Sequence, residues 1–248
     1  MKLKDKVVFI TGGTSGIGLE TAKLFIAEGA KVALVGSNAE HLGSADSELD
    51  GRALLLRADL RRREDIEHAV AQVREKFERI DVVFANAGAS TVAPLEAITP
   101  EYIEDNIALN FTSVFLTIQK TAPFIPRGGS IIVTTSFLNT IGMPGLSILA
   151  ATKAATRSLV RSIGAELAPR GIRVNAISPG AISTPFYEKI GLTDVQLSEV
   201  TAALQARIGL KRFGEASELA KSALFLASDD SSYTTGAELV IDGGLTQF

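Results

Sequence analysis

The sequence predicts an α/β fold, a single domain built on one doubly wound parallel sheet with helices on both faces. Short runs of β-branched and aliphatic residues alternate with longer stretches of helical periodicity. This alternation is typical of parallel strands joined by right-handed crossovers. Several strand runs are apolar throughout, as expected for strands covered on both faces. A chain of 248 residues is long enough to bury such a core.

Seven runs have the composition of such strands, and two stretches between them have a clear helical pattern. The predicted strands are Val7–Thr11, Lys31–Val35, Ala53–Arg57, Asp81–Ala85, Ser130–Thr135, Ile172–Ile177 and Glu238–Ile241. Apolar residues repeat at helical spacing from Ile66 to Phe77, and Ser147–Leu167 is a longer helical stretch. No linker, charge block or internal repeat divides residues 1–248, so we interpret them as one domain. Residues 184–210 interrupt the rhythm, and an insertion of this length is typical of a lid.

The composition excludes several classes of function. There is no cysteine, which removes disulfides, iron–sulfur clusters and thiolate zinc sites. His41 and His68 are the only histidines, so we expect no metal centre. The formal net charge of −3 provides no basic field for nucleic acid or an anionic membrane. The charged start lacks the apolar stretch of a signal peptide, and glycines and a proline interrupt the longest uncharged segment, 128–152. We therefore expect a cytoplasmic protein without a membrane span.

A glycine-rich turn follows the first strand directly. It reads Thr-Gly-Gly-Thr-Ser-Gly-Ile-Gly over residues 11–18 and leads into a helical stretch, Leu19–Ala27. Glycines allow a tight turn and close approach of a ligand. The helix that follows offers free N–H groups and the positive end of its dipole to a pyrophosphate. A turn of this kind that binds nothing is the alternative, but its position at the first crossover favours nucleotide binding.

From this turn onward, motifs follow one another in the order of a single family. They are Thr11, Gly12, Gly16 and Gly18 in the turn, Asp59, Asn86-Ala87-Gly88, Asn110, Ser136, Lys153, Pro179-Gly180, Ile182-Ser183-Thr184, and the ending Ile241-Asp242-Gly243-Gly244-Leu245. On these motifs the chain resembles the short-chain dehydrogenase/reductase family over essentially its whole length. The resemblance implies a Rossmann-type fold and hydride transfer between a nicotinamide cofactor and a carbonyl carbon.

The resemblance also implies three groups of site residues. The expected cofactor-binding residues are Gly12, Thr14, Ser15, Gly16, Ile17, Gly18, Ser37, Asn38, Asp59, Leu60, Asn86, Ala87, Gly88, Lys153, Pro179, Gly180, Ile182 and Thr184. The expected catalytic positions are Asn110, Ser136, Lys153 and Leu149, and the expected substrate contacts are Phe137, Leu138, Leu146, Phe186 and Tyr187. The apolar character of the last group favours a hydrophobic ketone or secondary alcohol.

Each motif residue also has a plainer interpretation. Asp59 could cap a helix, and Asn86 could satisfy backbone groups at a turn. Asn110 could be a satisfied buried amide, Ser136 an ordinary strand-end hydroxyl and Lys153 a surface lysine. Their combination at the spacings of one family favours the functional interpretation.

One position departs from the family pattern. The family places a tyrosine four residues before the lysine, where it acts as the acid/base, but here that position is Leu149. Leucine neither ionises nor donates a hydrogen bond, and no tyrosine lies between Tyr102 and Tyr187. Three explanations are open. The tyrosine was removed by engineering or reconstruction, a natural homologue lost catalysis, or another group transfers the proton. For the last alternative the candidates are Tyr187, Ser136, and Lys153 acting through water.

Two hypotheses therefore stay open. The first is an NADP-dependent carbonyl reductase or alcohol dehydrogenase impaired by Leu149, and the second is a non-catalytic dinucleotide-binding protein. We expect NADP rather than NAD, because Ser37 and Asn38 stand where NAD-binding proteins of this fold usually place an acidic residue. The family's common arginine at this point is also missing. We further expect a homotetramer, because Leu245 and Phe248 would otherwise be exposed.

Overall fold

Seven parallel strands form the central sheet in the order β3-β2-β1-β4-β5-β6-β9. The computed structural model describes residues 1–187 and 190–248. The strands of this sheet are β1 (Val7–Thr11), β2 (Lys31–Gly36), β3 (Ala53–Arg57), β4 (Val82–Ala85), β5 (Ser130–Thr134), β6 (Arg173–Pro179) and β9 (Glu238–Ile241). Two short strands, β7 (Ile182–Ser183) and β8 (Gly214–Glu215), pair separately. The predicted doubly wound α/β fold is confirmed.

Within residues 1–187 and 190–248, eight α-helices connect these strands. They are α1 (Gly16–Ala27), α2 (Ala39–Glu48), α3 (Arg63–Phe77), α4 (Pro100–Ile107), α5 (Ser113–Thr121), α6 (Ser147–Leu167), α7 (Asp194–Arg207) and α8 (Ala216–Ala227). A π-helical turn, Ala108–Thr112, joins α4 to α5. No helix in the described part of the chain is both long and apolar enough to span a bilayer.

The residues of β1 show how the sheet separates two cores. All five are buried, and successive side chains of a strand point to opposite faces. Val7 and Phe9 join the core packed by α3, α5 and α6. Val8 and Ile10 join the core packed by α1, α2 and α8. A continuous apolar run is therefore what a strand between two helical layers requires.

Most predicted boundaries agree with the structure, and the differences are small. β1, β3, β9 and α6 have the predicted limits. β4 starts at Val82 because Asp81 lies outside the ladder, where its carboxylate accepts the N–H of Val7 at 2.8 Å. β6 runs from Arg173 to Pro179 rather than from Ile172 to Ile177, because its far end pairs with β9 up to Ile241. The helix after the glycine turn begins at Gly16, earlier than the predicted Leu19.

The predicted lid, 184–210, contains a helix. α7 begins with a reciprocal cap, in which Thr193 accepts from the backbone N–H of Gln196 and the Gln196 side chain accepts from that of Thr193. Within the insertion, the backbone is tied to the segment after β4, since the N–H of Val92 donates to the carbonyl of Ile190 at 2.9 Å. Glu188 and Lys189 fall within this predicted range but lie outside the described residues.

Candidate active site

The glycine turn lies where the order of the sheet reverses, between the carboxyl ends of β1 and β4. Gly12 and Gly16 have φ values of 62° and 51°, in the left-handed region that favours glycine. A Cβ at Gly12 would also lie 2.8 Å from the Cα of Ala87. Ser15 precedes α1 without capping it through its side chain. The first N–H groups of α1 are therefore left open to an anion.

Asn86 holds this turn in place from the end of β4. Its Nδ2 donates to the carbonyl oxygens of Gly12 at 3.1 Å and Thr11 at 3.3 Å. Its Oδ1 accepts from the hydroxyl of Thr134 at 3.1 Å. The plainer interpretation of Asn86, a side chain that satisfies backbone at a turn, is correct. The same bonds connect the glycine turn to the end of β5.

A single cavity of about 560 Å³ extends from the glycine turn to α6. Most of the predicted site residues line it together. They are Gly12, Ser15, Gly16, Ile17, Asn86, Ala87, Gly88, Asn110, Ser136, Phe137, Leu138, Leu146, Leu149, Lys153, Pro179, Gly180, Ile182, Thr184, Phe186 and Tyr187. The cavity has the size of a small-molecule or cofactor site. The glycine turn, the polar side chains and the apolar side chains thus line one continuous cavity.

Six predicted cofactor residues lie outside this cavity. Gly18 packs against the glycine turn, Thr14 packs against Gly36, and Leu60 has its side chain in the core. Ser37 and Asn38 follow β2, where Asn38 caps α2 by accepting from the backbone N–H of His41. Asp59 accepts from the backbone N–H of Arg61 at 3.0 Å, so its carboxylate stabilises a turn.

Asn110 lies in the π-helical turn between α4 and α5, and its side chain is fully buried. Its Nδ2 donates to the carbonyl of Ala89 at 2.9 Å, and its Oδ1 accepts from the N–H of Ala89 at 3.2 Å. The amide is therefore satisfied by the backbone that follows β4, and it fixes that backbone beside the cavity.

Lys153 is buried and not a surface residue, so the plainer interpretation of this residue is wrong. Its side chain comes from α6 and is 6% exposed. The Nζ donates to the carbonyl oxygen of Thr134 at 2.8 Å. Burial lowers the pKa of Lys153 to about 8, because desolvation disfavours the ammonium form.

Ser136 begins a short 3-10 turn at the end of β5 and lines the same cavity. Its Oγ accepts from the N–H of Leu138 at 3.2 Å. In the described part of the chain this hydroxyl donates to no protein group, so its hydrogen can be donated to a bound molecule.

Leu149 lies one helical turn before Lys153 on the same side of α6, since residues four apart are neighbours. Its side chain is 4% exposed and packs in an apolar cluster with Phe137, Leu138 and Leu204. The wall of the cavity is therefore hydrocarbon at the position where the family pattern places a phenol.

Comparison with known proteins agrees with this geometry. A family model described as enoyl-(acyl carrier protein) reductase matches residues 12–246. A 3-oxoacyl-[acyl-carrier-protein] reductase of Thermotoga maritima is 40% identical over 99% of both chains. The structure of a short-chain type dehydrogenase/reductase from Mycobacterium marinum superposes with a TM-score of 0.93, at 34% identity, over 100% of this chain and 98% of the other.

The chain belongs to the short-chain dehydrogenase/reductase family. A third relative, a short-chain dehydrogenase from Burkholderia cenocepacia solved in complex with NADP, has a TM-score of 0.91 and 30% identity over 99% of each chain. The predicted family is confirmed, and with it the class of NAD(P)-dependent oxidoreductases by family resemblance.

Tyr187 is a poor substitute for the family's tyrosine. Its ring packs against Phe186 at 5.8 Å and Phe213 at 5.5 Å between centroids. Burial raises the pKa of Tyr187 to about 12, because the phenolate is desolvated. A phenol with a raised pKa gives up its proton less readily than an ordinary one.

The structure also adds polar residues that the sequence reasoning missed. Tyr102 lines the cavity and donates to the carbonyl of Thr91 at 2.5 Å. Arg61 and Asp105 form a bidentate ion pair at 2.5 and 2.9 Å that also lines it. Arg57 lies beside the end of β2, where its Nε donates to the carbonyl of Ser37 at 3.3 Å. The spacing of these residues along the chain provides no signal, because folding brings them together.

Proposed function

We propose that this chain is an NADP-dependent oxidoreductase for hydrophobic ketones or secondary alcohols, with turnover impaired by Leu149. The observation that carries the proposal is the continuous cavity, which joins the glycine turn to Lys153 and Leu149. An NADP complex is known for a family member of the same fold. The second candidate is a non-catalytic dinucleotide-binding protein, and the hydrocarbon wall at Leu149 is the observation that favours it.

The nucleotide end of the cavity fits a dinucleotide. The open N–H groups at the start of α1 suit a pyrophosphate, and Gly12 and Gly16 leave the backbone bare for close approach. We assign Asn86, Ala87 and Gly88 to the floor of the cofactor site and Lys153 to the sugar beside the nicotinamide. Pro179, Gly180, Ile182 and Thr184 line the same cavity and are assigned to the nicotinamide end.

At the substrate end, the chain supplies orientation but little acid/base chemistry. When bound, the nicotinamide supplies or accepts the hydride. Ser136 holds the substrate oxygen by donating a hydrogen bond, while Phe137, Leu138 and Leu146 exclude water around the carbonyl carbon. Reduction of a ketone leaves charge on oxygen that a positioned acid normally neutralises. Leu149 cannot do this, so slow turnover is expected.

The experiment that tests the function measures binding and turnover separately. NADPH and NADH are titrated calorimetrically, and NADPH oxidation is followed with a panel of hydrophobic ketones. Binding with slow turnover supports the impaired reductase. Binding without turnover on any ketone or alcohol supports the non-catalytic candidate, and absence of nucleotide binding contradicts both.

The preference for NADP over NAD rests on the end of β2. Ser37 and Asn38 place no carboxylate where a 2′-phosphate would lie, and Arg57 brings a guanidinium to this point from the neighbouring strand. Three arginines that follow Arg57 in sequence have carboxylate partners, namely Arg61, Arg62 and Arg63. Arg57 has no such partner within 4.0 Å among the described residues, so we propose that it pairs with the 2′-phosphate.

Replacing Arg57 with leucine is expected to weaken NADPH binding roughly five- to tenfold and to leave NADH binding unchanged. An exposed charge-assisted contact is worth about 1 kcal/mol, and NADH lacks the phosphate. Calorimetric titration of both nucleotides measures the difference. The matched control is Arg62→Leu, since Arg62 is also exposed but pairs with Asp65. Equal losses for NADPH and NADH in Arg57→Leu would contradict the assignment.

We also propose a homotetramer, although the expectation that Leu245 would be exposed in the monomer is wrong. Leu245 is buried in the cluster around Leu149 and is only 5% exposed. Phe248 is exposed, and so are Val240 on the edge strand β9 and Phe225 on α8. Strand β9 is an edge strand of the sheet, and exposed apolar residues lie on and near it. Contact with another subunit would cover this surface. Light scattering is expected to give about four times the 26.2 kDa monomer mass, and a monomeric mass at micromolar concentration would contradict the proposal.

A further inference from the structure

The amine of Lys153 lies in the cavity without an acidic partner. Its Nζ donates to the neutral carbonyl of Thr134 at 2.8 Å. Among the described residues, no carboxylate lies within 4.0 Å of it. Leu149, one turn earlier, contributes only hydrocarbon. The surroundings are those of a neutral amine rather than of an ion-paired ammonium.

The groups next to this amine on other elements, at Gly88, Asn110 and Thr134, are also uncharged. A Cβ built on Gly88 would lie 3.3 Å from the Nζ of Lys153 and 2.9 Å from the Oδ1 of Asn110. The other titratable side chains described along the cavity are Arg61 and Asp105, which pair with each other, and the phenols Tyr102 and Tyr187. Burial alone lowers the pKa of Lys153 to about 8. Half of the amine is therefore unprotonated near that pH.

We propose that Lys153 forms an imine with apolar aldehydes and ketones that enter this cavity. Desolvated lysines in hydrophobic pockets are known nucleophiles toward carbonyl groups. The nitrogen lone pair forms a bond to the carbonyl carbon, and a proton passes from nitrogen to oxygen to give a carbinolamine. The nitrogen lone pair then forms the C=N bond as the C–O bond breaks, and the departing hydroxyl takes the remaining nitrogen proton and leaves as water. An aldehyde and the amine thus yield the imine and one water. No oxidant or reductant takes part in this condensation.

The apolar class of partner follows from the walls around the amine. Leu149, Leu138 and Phe137 line the cavity together with Lys153, so a charged carbonyl compound would lose hydration without gaining a counterion. The reaction requires no bound nucleotide. It can therefore succeed or fail independently of the proposed oxidoreductase function, which the nucleotide titrations test.

Reductive trapping tests the proposal. The full-length protein without nucleotide is incubated with benzaldehyde and sodium cyanoborohydride at pH 8, and adducts are located by peptide mass spectrometry. A model lysine of pKa about 10.4 is roughly 100-fold less deprotonated at this pH than one of pKa about 8. We expect Lys153 to be labelled at least tenfold faster than the exposed Lys221 of the same chain. Glyoxylate, a charged aldehyde, should label Lys153 at least tenfold more slowly than benzaldehyde does.

Two further measurements keep the test independent of folding defects. In Lys153→Met, total benzaldehyde labelling of the protein should fall to the slow labelling of its exposed lysines. The melting temperature is measured in parallel. In the unchanged protein, the labelling rate at Lys153 should rise through a midpoint near pH 8. Labelling spread over exposed lysines while Lys153 stays unmodified in the folded protein would overturn the proposal. A midpoint above pH 10 for Lys153 would also overturn it.

Discussion

Tyrosine in place of Leu149 is expected to raise the turnover of hydrophobic ketones by roughly 10²–10⁴-fold. The phenol would lie one helical turn before Lys153, on the same face of α6. The ammonium form of Lys153 would lower the phenol's pKa electrostatically, and Ser136 already lines the same cavity. Because the proton is transferred in the transition state, the gain should fall mainly on kcat rather than on cofactor affinity.

Packing decides whether the phenol reaches its working position. Leu149 is nearly buried against Phe137, Leu138 and Leu204, so a larger ring costs about 1–3 kcal/mol if these neighbours resist. The cavity beside it has a volume of about 560 Å³ and offers room on one side. We therefore expect a folded variant with a modestly lower melting temperature.

The matched control is Leu149→Phe, which adds the ring without the hydroxyl. NADPH binding, melting temperature and ketone turnover are measured for both variants and the parent. Turnover that rises with tyrosine but not with phenylalanine assigns the gain to the phenol. A Leu149→Tyr variant that folds and binds NADPH but reduces no ketone would show that the site has diverged to another use.

The pH dependence of Leu149→Tyr provides a second readout. Burial lowers the pKa of Lys153 to about 8, so its positive charge is lost as the pH rises through that value. The electrostatic effect on the phenol is then lost as well. The kcat of Leu149→Tyr should therefore fall as the pH rises through about 8. The double variant Leu149→Tyr/Lys153→Met should lack this pH dependence.

The elements that the sequence predicted well are those whose signal is local. β1 is apolar at all five positions because both faces are covered, and the buried residues of α6 repeat at helical spacing from Leu149 to Ile163. β7 and β8 have two residues each, too short for any periodicity. In α7 Leu204 is the only buried residue, so this helix carries little apolar pattern.

The distinction between local and long-range signals also explains which features of the site the sequence predicted. Glycine spacing predicted the tight turn after β1, in which Gly12 and Gly16 have positive φ, because the conformation of a turn depends on adjacent residues. Arg57 was missed because the pairing of β2 with β3, which sets Gly36 opposite Arg57, brings it to Ser37. The burial of Leu245 was missed for a similar reason, since the residues that cover it come from distant parts of the chain.

Alanine at Gly18 is expected to destabilise the fold by several kcal/mol and to abolish nucleotide binding. A Cβ there would lie 2.1 Å from the carbonyl oxygen of Gly12. This contact involves backbone, which cannot rotate away as a side chain would, so the glycine turn and α1 must separate. Asn86 would lose its bond to the same carbonyl, made at 3.1 Å, and the N–H groups at the start of α1 would no longer converge on one anion.

Gly43 provides the matched control within the same chain. It also lies inside a helix, α2, but a Cβ at this position meets nothing within 4 Å. Gly43→Ala should therefore stabilise the protein by about 0.5–1 kcal/mol through helix propensity, with unchanged NADPH affinity. Thermal denaturation and NADPH titration of both variants separate a steric effect at the turn from the general effect of replacing a helical glycine. Similar melting temperatures and affinities for Gly18→Ala and Gly43→Ala would mean that the turn tolerates a wider separation from α1 than these contacts imply.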